Sequence, residues 1–355
     1  MSNINLDDSQ VYREYDPDGM LARIHDVPGL CRQAWQLAMA FSLPEDYSRV
    51  NRVVVLGMGG SAIGGDLAGS LVSAEASIPV LVHREYGLPA FVDSSTLVIA
   101  SSYSGNTEET LSSFKQALGT EAKKLVITTG GQLKVMAGES HIPVFGFDYK
   151  AQPRAALPFS LLPILGFMQK LGFIGDKSAD VAETVSVLEQ LSREIDETVP
   201  LKRNRAKQLA QQLYGHLVVV YGGGMLAEVA HRWKTQLNEN SKAWAFYDVF
   251  SELNHNAVVG YQFPPELAPK IVVVMLRSTH LPQRIQLRYR ITAQLLEQAG
   301  VGYRTADGRG KSTLAQMMSL VLIGDYVSYY LAILNRIDPS PVETIDFLKG
   351  ELAKG

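Results

Sequence analysis

Three hydroxyl side chains, Ser102, Ser104 and Thr107, flank a single glycine in the run Ser101-Ser102-Tyr103-Ser104-Gly105-Asn106-Thr107-Glu108-Glu109. Before it stands the apolar run Leu97-Val98-Ile99-Ala100, which reads as a buried strand. After it, Leu111, Phe114 and Leu118 recur at helical spacing. Hydroxyls beside the unbonded amides of a helix start suit an anion with several oxygens, and the helix dipole favours its charge. A phosphate is such an anion. There is no lysine and no GKS/T pattern, so this is not a nucleotide P-loop. The same residues also fit a plain serine-rich cap, with Asn106 capping the helix and Glu109 completing a capping box.

A second loop, Gly57-Met58-Gly59-Gly60-Ser61-Ala62, follows the strand-like Val53-Val54-Val55-Leu56. Its glycines let the backbone come close to a ligand. The spacing departs from the dinucleotide fingerprint, and no acidic residue ends a second strand about twenty residues on. A tight strand-to-helix turn without a ligand is the other reading. Two such loops about forty residues apart meet at the carboxyl edge of one parallel sheet, where open α/β sheets bind ligands.

Four further residues have chemistry to offer. Arg154 stands among apolar neighbours in Pro153-Arg154-Ala155-Ala156, as a cation facing a cleft or as half of a structural ion pair. Glu239 falls opposite the apolar face Leu226, Val229, Trp233 and Leu237, on the side of Glu228 and Arg232. Periodicity makes it a solvated carboxylate, although its helix is running out there and a side chain can reach a cleft. His255 lies between Asn254 and Asn256, whose amides can fix its tautomer; a structural histidine fits equally. Lys349 projects beside the stripe Ile345, Leu348 and Leu352 of the last helix, in the manner of a snorkelling surface lysine.

The elements that must position these groups alternate. Strand-like runs at Val53–Leu56, Val80–Val82, Leu97–Ala100, Leu125–Thr128 and Val144–Phe147 are separated by helical patterns, which implies α/β architecture with a parallel sheet covered on both sides. Residues 20–42 read as one helix before them. The theme returns at Leu217–Tyr221, which runs into Gly222-Gly223-Gly224, a long helix, the strand Ile271–Leu276 and the apolar helix Leu314–Ile333. The expected organisation is a loose N-terminal arm (1–19), a first α/β domain (20–175), a helical connector (176–208) and a second, degenerate copy (209–355). The two copies are expected to pack about a pseudo-twofold axis with a cleft between them. Ser340-Pro341-Val342-Glu343 predicts a capping box at the start of the last helix.

Bulk properties exclude several classes. The chain has 355 residues, 46% hydrophobic and 19% charged, with a net charge of −3. That is an ordinary globular composition, with no bulk attraction for nucleic acid or for an anionic membrane. The apolar stretch around Leu157–Phe167 is too short to span a bilayer, and the polar start has no signal-peptide core. A single cysteine, Cys31, excludes an intramolecular disulfide and a cysteine zinc cluster, and fits a reducing, cytoplasmic setting. No HExxH, paired Cys/His spacing or nucleophile elbow is present, so neither a metal nor a cofactor is expected.

Gly59-Gly60-Ser61-Ala62 together with Ser102 to Thr110 resembles the sugar isomerase (SIS) domain. The segments Leu237–Lys242 and Glu252–Asn256, and the ending Asp338–Glu343 with Lys349, resemble a narrower group, the bifunctional phosphoglucose/phosphomannose isomerases. The likeness runs from about residue 20 to the end. It implies two SIS-type, flavodoxin-like domains and an aldose–ketose isomerase acting on glucose 6-phosphate, mannose 6-phosphate and fructose 6-phosphate through a cis-enediolate, without a metal. It implies that Gly59, Gly60 and Ser61 line the sugar site and that Ser102, Ser104 and Thr107 hold the phosphate. Glu239 would be the base and Arg154 would stabilise the enediolate. His255, aided by Lys349, would open the sugar ring. It further implies a homodimer, with His255 serving its own site or its neighbour's. A sugar-phosphate sensor or an amino-sugar isomerase on the same fold are the competing functions; a sensor needs only the phosphate loop, not Arg154, Glu239, His255 and Lys349.

Overall fold

The computed structural model describes residues 4–354. Two short helices come first, α1 (Ser9–Tyr15) and α2 (Met20–His25), and then α3 (Val27–Ala40). The single helix expected over 20–42 is thus two, broken at Asp26, with Pro28 in the first turn of α3 where a missing amide costs nothing. There follow β1 (Arg52–Leu56), α4 (Gly59–Val72), β2 (Val80–His83), β3 (Thr96–Ser101), α5 (Glu108–Leu118), β4 (Lys123–Thr128), α6 (Gly131–Glu139), β5 (Val144–Gly146), α7 (Leu157–Lys170) and α8 (Ser178–Ile195). The remainder is α9 (Arg205–Leu213), β6 (Leu217–Gly223), α10 (Ala227–Glu239), β7 (Ala245–Phe250), β8 (Ile271–Arg277), α11 (Gln283–Gln298), β9 (Gly302–Asp307), α12 (Thr313–Leu334) and α13 (Glu343–Leu352).

The strands form two wholly parallel sheets, ordered β2-β1-β3-β4-β5 and β7-β6-β8-β9. Val53 pairs with Val80 and Leu97 in the first, and Val218 with Ala245 and Val272 in the second. The orders match position for position, less one strand. Each central strand is a continuous apolar run because helices cover both faces. Val54, Leu56, Val98, Ala100 and Val126 join Phe114 and Leu133 in one core of the first sheet. β7 and β9, at the edges of the second sheet, were not anticipated from the sequence. β7 carries exposed Phe246 and Tyr247, and β9 is partly polar, so neither shows a clean period.

Packing divides the chain into two compact units. The first-sheet unit is Asp26–Leu188 with Gly310–Gln316. The second-sheet unit holds the described residues through His25, with Glu189–Arg309 and the chain from Met317 onward. The N-terminal segment is not loose: Leu6 and Tyr12 are buried. Tyr12 Oη donates to the Leu6 carbonyl, and the buried Lys207 ammonium reaches the same carbonyl at 2.7 Å and Asp7 at 3.2 Å. α12 is long and apolar enough to cross a membrane, but 94% of its most apolar stretch is buried in the protein, as in a core helix.

Candidate functional site

The first-sheet unit brings its seven predicted residues together. Gly59 opens α4 at φ +48°, which turns the chain sharply off β1. Gly60 lies so close to Pro153 and Arg154 that a Cβ there would sit 2.9 Å from the Pro153 carbonyl oxygen and 3.2 Å from Arg154 Cα. Ser160 on α7 donates to the Gly60 carbonyl at 3.0 Å, which fixes that carbonyl. The two loops are bonded to each other: Tyr103 N–H donates to Ser61 Oγ at 3.1 Å, and Ser101 Oγ to the Ser61 carbonyl at 3.4 Å. Only about 10 Å³ of space remains beneath them, room for about one water, so a ligand meets these loops from their outer side. Arg154 is 2% exposed, in a short turn before α7. Removed from bulk water, its charge acts through a low dielectric.

The hydroxyl loop is built differently from its expected cap. Thr107, not Asn106, is the N-cap of α5, and its side chain makes no capping bond. Its Oγ1 lies 2.9 Å from Ser102 Oγ, which also accepts from the Gly105 amide at 3.1 Å. Asn106 Oδ1 accepts from Gln132 N–H at 2.9 Å and so ties this loop to the start of α6. Leu111 is the first residue whose amide bonds back within α5, to the Thr107 carbonyl. The amides of Glu108, Glu109 and Thr110 therefore lack intrahelical acceptors, beside the Thr107 hydroxyl and the exposed Ser104. This is a phosphate-sized cluster of donors at a helix start.

Gly105 makes the loop possible. It has φ +68°, and a Cβ on it would sit 1.8 Å from the Gly130 carbonyl oxygen. Its own carbonyl accepts from Leu133 N–H at 2.9 Å, which closes the two turns on one another.

Glu239, His255 and Lys349 belong to the second-sheet unit, on three different elements. Glu239 is the last residue of α10 and is half-buried. Its helix is not solvated on one side as periodicity suggested. Leu226, Val229, Trp233 and Leu237 are buried as expected, but so is Arg232, whose guanidinium meets Asp325 of α12 at 3.2 Å. Gln236 Nε2 donates to the same carboxylate at 2.6 Å, and Trp233 Nε1 to the Leu320 carbonyl at 2.8 Å. Past Glu239, Asn240 donates to Ser328 Oγ, and Ser241 Oγ to the Ser328 carbonyl. The Lys242 ammonium spans the Glu239 carbonyl (2.6 Å) and the Pro339 carbonyl (3.1 Å). The polar run around Glu239 thus ties the end of α10 to α12 and to the approach to α13. Sequence reasoning missed Asp325, Ser328 and Lys242 in this supporting role; the clustering of Asn240, Ser241 and Lys242 was the signal for it.

His255 is exposed, at the end of a short 3-10 turn. Its flanking asparagines do not hold its ring. Asn254 donates to Thr292 Oγ1 and accepts from Arg288, while Asn256 caps Ala257 and donates to Glu252. Lys349 is exposed on α13, which buries none of its residues. The predicted capping box does not form: Val342 is the N-cap without a side-chain bond, and Ser340 N–H donates to Asp338 instead.

The two units repeat one turn. Gly224 after β6 has φ +53°, the counterpart of Gly59 after β1. The hydroxyl loop has no such counterpart. After β8 stand Ser278 and Thr279, but no glycine with positive φ, and the preceding Arg277 is paired with Asp307 at 2.7 Å.

Comparison with known proteins agrees with this architecture. Residues 202–352 match the family model described as the bacterial phospho-glucose isomerase C-terminal SIS domain. A bifunctional phosphoglucose/phosphomannose isomerase of Caldicellulosiruptor bescii is 43% identical over 94% of this chain and 99% of its own length. One from Aquifex aeolicus is 37% identical over 88% and 93%. Among solved structures, a hypothetical protein of Thermus thermophilus superposes with a TM-score of 0.74 at 17% identity, over 97% of this chain and 92% of that one. With its paired parallel sheets, its glycine and hydroxyl loops and these relatives, the chain belongs to the family of bifunctional phosphoglucose/phosphomannose isomerases.

Proposed function

We propose that this chain interconverts fructose 6-phosphate with glucose 6-phosphate and mannose 6-phosphate. The observation that supports the reading is the interlocked loop at the start of α5, whose first-turn amides lack intrahelical acceptors beside the Thr107 and Ser104 hydroxyls. Ser102, Ser104 and Thr107 hold the phosphate. That group does not react, so its binding energy positions the sugar at the reacting end. Gly59, Gly60 and Ser61 lie along the sugar. Glu239 takes the proton from one carbon and returns it to the next, through a cis-enediolate. Arg154 stabilises the charge that builds on the enediolate oxygens. His255 and Lys349 move the proton that opens the ring. The reaction needs no metal in this scheme, because a cation and a carboxylate divide the work.

Two chains pair in this reading, with His255 contributed to the neighbour's site. The support is apolar surface left open in the second-sheet unit. Phe347 on α13 is 70% exposed, Trp244 is 74% exposed, and Phe263 lies open shortly after His255.

The test is turnover of fructose 6-phosphate in deuterated water with EDTA present, with both aldoses measured. Whenever Glu239 exchanges its proton with solvent before returning it, deuterium enters at C2 of the aldoses, or at C1 of the ketose in reverse, so label builds up over repeated turnovers. Sugars that stay free of deuterium over many turnovers, as a hydride shift would leave them, or activity abolished by EDTA, would overturn the scheme.

A further inference from the structure

A second charged feature of the fold takes no part in the proposed reaction. A groove of about 470 Å³ in the second-sheet unit is lined by Arg193, Arg203, Arg205 and Arg309, with Glu194, Ile195 and Val199. Four arginines and one carboxylate line it, with Arg193, Arg203 and Arg205 exposed, in a chain whose net charge is −3. Glu194 is bonded to Arg309, and that bond holds its carboxyl below the usual range. Arg193 suits its place in the last turn of α8, at the negative end of that helix.

That one carboxylate already serves Arg205 as well as Arg309, and Arg203 is left to share it. Arg203 and Arg205 flank Asn204, the N-cap of α9, whose side chain accepts from Lys207 N–H at 3.0 Å. Arg205 is the first residue of α9, and no acidic residue stands in that first turn. Two cations at the positive end of a helix, beside two more in the same groove, repel one another, and one carboxylate leaves that charge in excess unless a further anion shares the place.

We propose that this groove binds a small polyanion carrying two or more phosphate groups, of the size of pyrophosphate or a nucleotide's phosphate chain. Its volume lies within the range of small-molecule sites. Planar guanidiniums bind phosphate oxygens in pairs, and several of them on one concave wall match several phosphates. The chain as a whole carries a net charge of −3, which disfavours a nucleic acid as the ligand. The site is independent of the proposed isomerase chemistry.

The experiment is calorimetric titration of pyrophosphate into three proteins: the wild type, Arg203→Gln with Arg205→Gln, and Thr107→Ala. Wild type and Thr107→Ala should share a site that the double arginine variant loses, with affinity down about 100-fold and the residual binding sensitive to salt. Without ligand, the double variant should melt no lower than wild type, because it sheds like-charge repulsion. Pyrophosphate should raise the melting temperature of Thr107→Ala more than that of the arginine variant, which keeps the loop at the start of α5. Four results would overturn the proposal: no pyrophosphate binding at millimolar concentration; binding lost in Thr107→Ala but kept in the arginine variant; capture only of long RNA; or a clear drop in the ligand-free melting temperature of the double variant, which makes the arginines structural.

Discussion

Gly105→Ala isolates what holds the phosphate loop in shape. The substitution adds one carbon, and two costs follow from the geometry. At φ +68° an alanine pays roughly 1–2 kcal/mol for left-handed backbone. The new Cβ would also lie 1.8 Å from the Gly130 carbonyl oxygen, 2.7 Å from its carbon and 2.9 Å from Thr128 Oγ1. Relief of the first contact requires the loop to move by more than about 1 Å, and a displacement of that order at a positioned site costs about 10²-fold in rate. The expected outcome is a fall of about 100-fold in kcat/KM for fructose 6-phosphate. Stability should drop by about 2 kcal/mol or more, seen as a melting temperature lower by about 4–8 °C. The control is Gly138→Ala in α6, where a Cβ meets nothing within 4 Å; it should leave activity intact and stability equal or slightly higher. A Gly105→Ala enzyme within about threefold of wild type in kcat/KM would refute the claim that this contact shapes the phosphate site.

Other consequences are as direct. Lys242→Asn tolerates the left-handed backbone at φ +51° but removes the bonds to the Glu239 and Pro339 carbonyls, so kcat should fall about tenfold with KM little changed, and Lys242→Arg should recover part of it. Burial pushes the Cys31 thiol up to about 12, so iodoacetamide at pH 8 should label the native protein only at its rate of unfolding. The hydrogen bond from His25, 3.1 Å away, holds Glu197 below the usual carboxylate range. A depressed folded value means stability that is present above the unfolded carboxylate's range and is lost as pH falls through the folded one. His25→Gln should therefore flatten the loss of melting temperature between about pH 5 and pH 3.

Much of the first sheet was legible because β1, β3 and β4 are buried runs of Val, Leu and Ile ending in glycine or hydroxyl residues, and that pattern has few other readings. The edge strands β7 and β9 were not, since half their side chains meet solvent and carry no period. Lys207 shows the limit more sharply. A lysine reads as surface, yet this one is buried with carbonyl and carboxylate partners supplied by the N-terminal segment some two hundred residues earlier. The turn between β3 and α5 and its run of hydroxyls were readable from residue type alone. That Asn106 would bond the next turn rather than cap its own helix depends on the neighbouring strand, which local sequence does not contain. The surroundings of Glu239 were misread for the same reason: Asp325 lies 89 positions beyond Gln236 and turns the supposed polar face of α10 into a buried one.

The central claim is that Glu239 carries the proton between C1 and C2. Glu239→Gln keeps the side chain's size and the bonds its neighbours make to α12, and removes only the basic oxygen. The decisive measurement is kcat for this variant with fructose 6-phosphate, together with the dissociation constant of the sugar phosphate. The account predicts a loss of about 10²–10⁴-fold or more in kcat, no exchange of deuterium into the sugar, and binding within a few-fold of wild type. Turnover close to that of the wild type would contradict it.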